Sequence, residues 1–163
     1  MAIFGGKRDI NFFKSISREL LEDVVSTQCG YYKVVLNETK PNVYGEAMSK
    51  YFVGPVLLNC LIERDDFTAA NKEFLPDYQR DVRFRFLKDH LVDANVVPES
   101  GDVIMYNELY YEVDGVNENQ LVMGKDNDYA YSTGLENFGA SYSVICFTHF
   151  ASPDRLGITK QRL

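Results

Sequence analysis

The sequence predicts a mainly β (α+β) domain, a small antiparallel β-barrel or sandwich of about seven strands with an N-terminal amphipathic helix. Three observations predict it. Short runs rich in Val, Ile, Tyr and Phe recur between Gly, Pro, Asn and Asp turns, with 11 Tyr, 11 Phe and no Trp in 163 residues. Residues 80–87 alternate strictly, Val82, Phe84 and Phe86 against Arg83 and Arg85, which is the two-residue period of a strand with one wet face. Only one long segment, near the N-terminus, has the period of a helix. Hydrophobic residues make up 45% of the chain, enough for a single domain spanning residues 1–163 to bury a core.

Residues 1–8 read as a flexible, basic, Gly-containing arm. Residues 9–26 read as a helix capped by Asp9 or Asn11. Phe12, Ile16, Leu20 and Val24 recur every four residues, with Phe13 and Leu21 beside them, and Arg18, Glu19, Glu22 and Asp23 lie largely opposite. This apolar face is expected to cap the barrel or to line a subunit contact. Gly30 is expected to end the helix, and residues 29–151 to hold the barrel, beginning with a strand over 31–36. A polar connection with Pro41 and Gly45 follows, then a long β-rich run over 51–63 notched by Gly54-Pro55, where a bulge or an edge is expected. Residues 64–78 have no clear period and read as an interaction loop. After the strand at 80–87, residues 88–95 predict one or two helical turns.

The most informative stretch is 96–124. Pro98-Glu99-Ser100-Gly101-Asp102 is a turn, because Pro presets its backbone angle and Gly tolerates positive φ. Val103-Ile104-Met105-Tyr106 is a strand, Asn107-Glu108 a tight reversal, and 109–113 a returning strand. Asp114-Gly115 and 117–119 read as turns before a third strand at 120–124, which together make a meander. Residues 126–138 read as a polar loop. Residues 140–150 form a last strand with both faces partly apolar, which predicts a central position. Residues 152–163 read as a basic tail.

Composition excludes several function classes. The formal net charge is −7, and residues 93–136 carry ten acids against one base, Lys125. A free nucleic-acid binder needs the reverse, a basic face for phosphates. No apolar run reaches the roughly 18–20 residues of a membrane span, so no membrane contact is expected. The N-terminal residues lack the apolar core of a signal peptide, so the chain is expected to be made and kept in a reducing cytoplasm. Cys29, Cys60 and Cys146 are odd in number and widely spaced, and with only His90 and His149 beside them they do not suggest a metal site. Phosphate-loop, nucleophile-elbow and zincin motifs are missing. Cys146 and His149 are three apart, on opposite faces of a strand, which makes a poor nucleophile and base pair. Asp126-Asn127-Asp128 lacks the Gly and distal Glu of a calcium loop. No catalytic, metal or cofactor-binding residue is therefore assigned, and no enzyme activity or cofactor is expected.

The ordered series Pro98-x-x-Gly101-Asp102-x-Ile104-x-Tyr106, Tyr110-Tyr111-Glu112-Val113 and Asn117-Glu118-Asn119-Gln120 resembles the small barrel of neck proteins (head closure, head-to-tail connector) from contractile-tailed bacteriophages. Leu36-Asn37-Glu38-Thr39-Lys40, Asn42-Val43-Tyr44-Gly45-Glu46 and Cys146-Phe147-Thr148-His149 agree with it. The resemblance implies a non-enzymatic virion structural protein located in the neck. It would form a homo-oligomeric ring, a hexamer or dodecamer, that closes the DNA-filled head and joins connector to tail. The implied partners are a portal or connector-side neck protein, tail-terminator or tail proteins, and double-stranded DNA in transient passage. The chain is shorter than the longer neck proteins and lacks their extended C-terminal region, which leaves its ring position open. Another ring-forming phage barrel, a tail terminator or baseplate component, or a small nucleic-acid-binding barrel are the alternatives.

On this reading Glu108, Glu112, Asp114 and Glu118 are candidate acids facing a channel or an interface. Like charge there would keep passing DNA from adhering. Arg83, Arg85, Arg155, Lys160 and Arg162 are candidate interface bases, although Arg83 and Arg85 have this chain's own carboxylates as the ordinary alternative. Pro98, Gly101 and Asp102 form the structural turn.

Overall fold

The computed structural model describes residues 7–35, 50–64, 69–72, 75–78, 81–118 and 142–158. The chain opens with α1 (Lys7–Glu19), which widens into a π-helical turn (Leu20–Val25), and then enters β1 (Gln28–Val34). β2 (Phe52–Asn59), β3 (Leu61–Arg64), β4 (Ala69–Lys72), β5 (Leu75–Tyr78) and β6 (Asp81–Leu87) follow. A short α2 (Lys88–Asp93) leads to β7 (Val103–Tyr106), β8 (Leu109–Asn117), β9 (Ser143–Ala151) and a final turn of helix, α3 (Pro153–Leu156).

Seven strands make one antiparallel sheet in the order β2-β1-β7-β8-β9-β6-β3, and β4 pairs with β5 as a separate hairpin. The two edges of the large sheet, β2 and β3, are consecutive in sequence and separated only by Cys60. The sheet must therefore roll until its edges approach each other at that residue, which gives the barrel-like form. Alternation decides what lies inside. Tyr31, Leu58, Phe84, Phe86, Ile104, Tyr111, Val144 and the three cysteines form one buried cluster, at roughly 1.5–3 kcal/mol for each large apolar side chain fully removed from water. Phe84 meets Tyr111 edge-on at 5.6 Å between ring centroids, a geometry the ring quadrupoles favour. A second cluster, Tyr32, Val103, Met105, Tyr110, Ala151 and Leu156, covers the outer face of β1, β7 and β8. The C-terminal segment builds it: Pro153 opens α3, Gly157 closes it at φ 68°, and Leu156 folds back onto the sheet.

The strand at 80–87, the helical turns at 88–95, the bulged run after residue 51 and the central position of the last strand all fall where the sequence places them. Four details differ. The helix ends at Ser26, where the sequence places it, but what ends it is Ser26 itself, whose φ is 46° and whose N–H donates to the Leu21 carbonyl at 3.0 Å, and not Gly30. Gly30 sits inside β1, paired with Leu57 on one side and Met105 on the other; two flanking ladders override the weak strand preference of glycine. Residues 69–78 contain the β4–β5 hairpin where a loop was expected, because four-residue strands are too short to show a period. Asp114-Gly115 is not a turn: β8 continues through it with a bulge, since β9 supplies a long partner on both sides of the irregularity. The expected strand at 120–124 and the loop at 126–138 lie outside the described residues.

Candidate functional site

The turn at 98–102 is built around a carboxylate. Gly101 adopts φ +91°, the conformation that admits glycine most readily, and its N–H donates to the Val113 carbonyl at 2.8 Å. Asp102 returns the bond, its carbonyl accepting from the Val113 N–H at 2.8 Å, so the turn is laced to β8. The Asp102 side chain is 0% exposed. Its Oδ1 accepts the Val34 N–H at 2.9 Å, and its Oδ2 accepts from the Tyr31 hydroxyl at 2.5 Å, the Glu99 N–H at 2.8 Å and Lys33 Nζ at 3.0 Å. A carboxylate offers about four acceptor positions, so this one is saturated. Burial first, and then the bond to Asp102, pushes the Tyr31 phenol far up, and it stays a donor. Burial works against the Lys33 ammonium, but its bonds to Glu99 and Asp102 outweigh that and raise its pKa. Pro98, Gly101 and Asp102 are thus a structural clamp tying the 98–102 turn, β1 and β8 together. Tyr31 and Lys33 are the partners that sequence reading did not find, because they lie about 70 residues away.

The four candidate acids do not converge. Glu108 occupies the β7–β8 reversal, where Asn107 and Glu108 both have positive φ, 52° and 62°, the backbone of a two-residue hairpin turn. Glu118 follows the other end of the nine-residue β8, some 30 Å away at about 3.4 Å per residue. Glu112 and Asp114 lie between them and engage bases of the same chain. Glu112 meets Lys50 and stands opposite His149 across the β8–β9 ladder. Asp114 Oδ1 lies 2.7 Å from His149 Nδ1, and Glu118 pairs with Lys88 at 3.5 Å. Of the ten acids in 93–136, Asp102 is inside and adds nothing to the surface charge.

The basic face of β6 is engaged as well. Arg85 binds Glu63 at 2.8 Å, a diagonal pair across β3–β6, where Glu63 stands directly opposite Arg83. The Arg83 guanidinium lies 5.7 Å from the centre of the Phe147 ring, its cross-strand partner on β9. Arg155 falls in α3, while Lys160 and Arg162 lie outside the described residues. Of the candidate bases, Arg83 and Arg85 share one face of β6, and each is already engaged within this chain.

Cys29, Cys60 and Cys146 are free and buried in the inner cluster. A bond with Cys60 and then burial push the Cys29 thiol up; burial, with the charges of Asp102 and Glu118, pushes Cys146 up to about 12. Such thiols are poor nucleophiles. Cys146 points into the core while His149 lies on the outer face beside Asp114. Among the described residues no group of His, Cys, Asp and Glu side chains could hold a metal ion, and no helix is long and apolar enough to cross a membrane.

The site that does emerge is apolar, and it lies outside. Phe12, Phe13, Ile16, Leu20 and Val24 are between 39% and 71% exposed. The helix is docked by its charged face instead: Lys14 to Asp89 at 3.0 Å, Arg18 to Asp93 at 3.5 Å, and Glu22 to His90 at 2.9 Å. Leu21 is the residue of this region that is buried. Edge strand β2 and the start of β3 present further apolar side chains, Val53, Val56, Leu57 and Leu61, at 37–58% exposure. The four-residue period revealed the apolar face of α1 but carried no sign of which way it points. No family model matches the chain, and no curated protein matches its sequence significantly.

Proposed function

We propose that this chain is a non-enzymatic structural protein of a phage neck, assembling as a ring that closes the DNA-filled head and joins connector to tail. The observation that carries the reading is the inversion just described. Among the described residues Asp102, Glu112, Asp114, His149 and the β6 arginines are engaged within the chain, while two apolar faces, on α1 and on β2, are turned to the outside. A contiguous exposed apolar patch of several hundred Å² is the mark of an assembly surface. The motif series resembling neck barrels falls on the clamp and on the β7–β8 hairpin, the rigid frame from which such surfaces are presented. Ring neighbours, a connector-side protein and tail proteins are the partners this reading assigns. Passing double-stranded DNA would meet a chain of net charge −7 whose β6 arginines are already engaged, and so would not be gripped. A nucleic-acid-binding barrel, by contrast, would need that basic face open. Electron microscopy of a particle containing the chain tests the proposal: density for the rolled sheet should form a ring between connector and tail. Absence of the chain from purified particles would refute it, and density at the tail terminator or baseplate would move it to that neighbouring role.

A further inference from the structure

We infer that the exposed face of α1 is covered by a second copy of this chain, which receives it head-to-tail on the outward apolar side chains of β2 and β3. The number of copies that close a ring rests on the reading above; the contact itself does not. The inference begins with the shape of the two faces. On the helix, Phe12, Ile16 and Leu20 are spaced four apart, so the stripe from Phe12 to Leu20 is about 12 Å long at 1.5 Å per residue. On the receiving side, Leu58 and Cys60 are buried, so the alternate residues Leu57 and Leu61 point outward. They lie in β2 and β3 on either side of Cys60, so at about 3.3 Å per residue of extended chain their separation is at most about 13 Å. The stripe on the helix is long enough to reach both.

The edge strand also dictates what can sit on it. Gly54 and Pro55 lie within β2, where the pairing with β1 shifts register. A proline at a bulge removes a ladder donor and bends the edge, so an added strand is disfavoured. What β2 offers a partner is side chains, and a helix face is the element that takes up side chains without backbone pairing. The helix, for its part, is charge-balanced: Lys7, Arg8, Lys14 and Arg18 stand against Asp9, Glu19, Glu22 and Asp23. An interfacial helix on an anionic bilayer carries a cationic polar face, which this one lacks.

Area points the same way. With the five helix side chains 39–71% exposed and large apolar residues offering on the order of 150–250 Å² each, the helix face amounts to roughly 400–600 Å². Matched by a similar area on the partner, it gives about 800–1,200 Å² in total, and a polar rim brings it to the size of a stable interface. Pairing α1 with α1 would leave β2 uncovered, whereas a head-to-tail contact covers both faces of every copy and is the kind that closes into rings.

The test uses the full chain and two double variants, Phe12→Asp/Leu20→Asp on the helix and Leu57→Asp/Leu61→Asp on the strand. All four residues are exposed, so the circular dichroism of each variant should match the parent's, while its melting temperature should lose the concentration dependence that association gives the parent. By sedimentation velocity the parent should be oligomeric, each variant alone monomeric, and an equimolar mixture should give a dimer and nothing larger, because one intact helix meets one intact strand. A parent that stays monomeric up to its solubility limit overturns the proposal, as does a strand variant that assembles like the parent or a mixture that stays monomeric. Should a variant fail to fold, a photo-crosslinker at Ile16 in the otherwise native chain decides instead. Mixed with isotope-labelled copies, it should capture a peptide from residues 52–64 of another copy; capture elsewhere or within its own chain overturns the contact. Failure here would leave the location in the neck standing, and a chain missing from particles would leave this contact standing.

Discussion

Replacing Asp102 tests whether the clamp holds the fold by its charge or by its shape as an acceptor. In Asp102→Asn one oxygen becomes an NH2 among groups that all donate. Oδ1 now takes the Val34 N–H, and Oδ2 takes Tyr31, Glu99 and Lys33, so whichever way the amide turns, a donor faces a donor. A buried donor left unsatisfied costs about 1–3 kcal/mol. The ion pair with Lys33 adds up to about 1 kcal/mol, because Lys33 is 35% exposed and water screens it. The expected loss is about 1–4 kcal/mol, or roughly 2–16 °C in Tm at about 2–4 °C per kcal/mol for a chain of this size. Lys33→Met removes only the cation; the carboxylate keeps three neutral donors, and the cost should be about 1 kcal/mol or less. Tyr31→Phe, which deletes one donor and preserves volume, should fall in the same lower range. Urea unfolding of the three variants ranks them. Lys33→Met proving as costly as Asp102→Asn would show that charge compensation dominates, and an Asp102→Asn protein as stable as the parent would refute the clamp altogether.

Two further expectations follow from backbone and burial. At Gly101 a Cβ would meet nothing within 4 Å, so Gly101→Val should cost only the strain of φ +91°, on the order of 1 kcal/mol or more. At Gly54, φ is +142° and a Cβ would stand 2.6 Å from the Tyr31 carbonyl oxygen, so Gly54→Ala should cost clearly more; equal midpoints in urea would show that the close approach relaxes freely. The three thiols should resist iodoacetamide in the native protein at about pH 8 and all react once unfolded. Cys146 titrates near 12 when folded and near 9.0 when exposed, so within that window the unfolded chain has lost a proton that the folded one keeps. Stability should therefore be intact below about pH 9 and fall as pH rises toward 12, with Tyr31 adding to the fall above its ordinary 10.0. An unchanged urea midpoint between about pH 8 and 11 would contradict this.

What the sequence made legible was local, and the rest depended on distance. β6 could be read because one residue in two is apolar and the arginines between them face out; the β7–β8 hairpin could be read because Asn107 and Glu108 are flanked by runs of strand formers. The burial of Asp102 could not. Gly-Asp after Pro is the signature of a solvent-exposed turn as much as of a clamp, and only β1, brought alongside by the sheet, supplies Tyr31, Lys33 and the Val34 amide. The same limit applies to the candidate acids and bases. Their charges were evident, but Glu63 meets Arg85, and Asp114 meets His149, only through cross-strand neighbourhoods that no spacing along the chain reveals.

The helix shows what periodicity leaves undecided. A stripe at every fourth residue says that one side of α1 is apolar; it does not say whether that side meets this chain's own core or another molecule. Here the opposite side docks, through Lys14, Arg18 and Glu22, with Leu21 as the buried anchor where the π-helical turn begins. Ion pairs this exposed are weak and screened by salt, and a helix of 13 residues is marginal by itself in water. The tie between α1 and the sheet therefore rests on Leu21 and on weak ion pairs, and burying Phe12, Ile16, Leu20 and Val24 against the proposed second copy would add about 1.5–3 kcal/mol for each side chain fully covered.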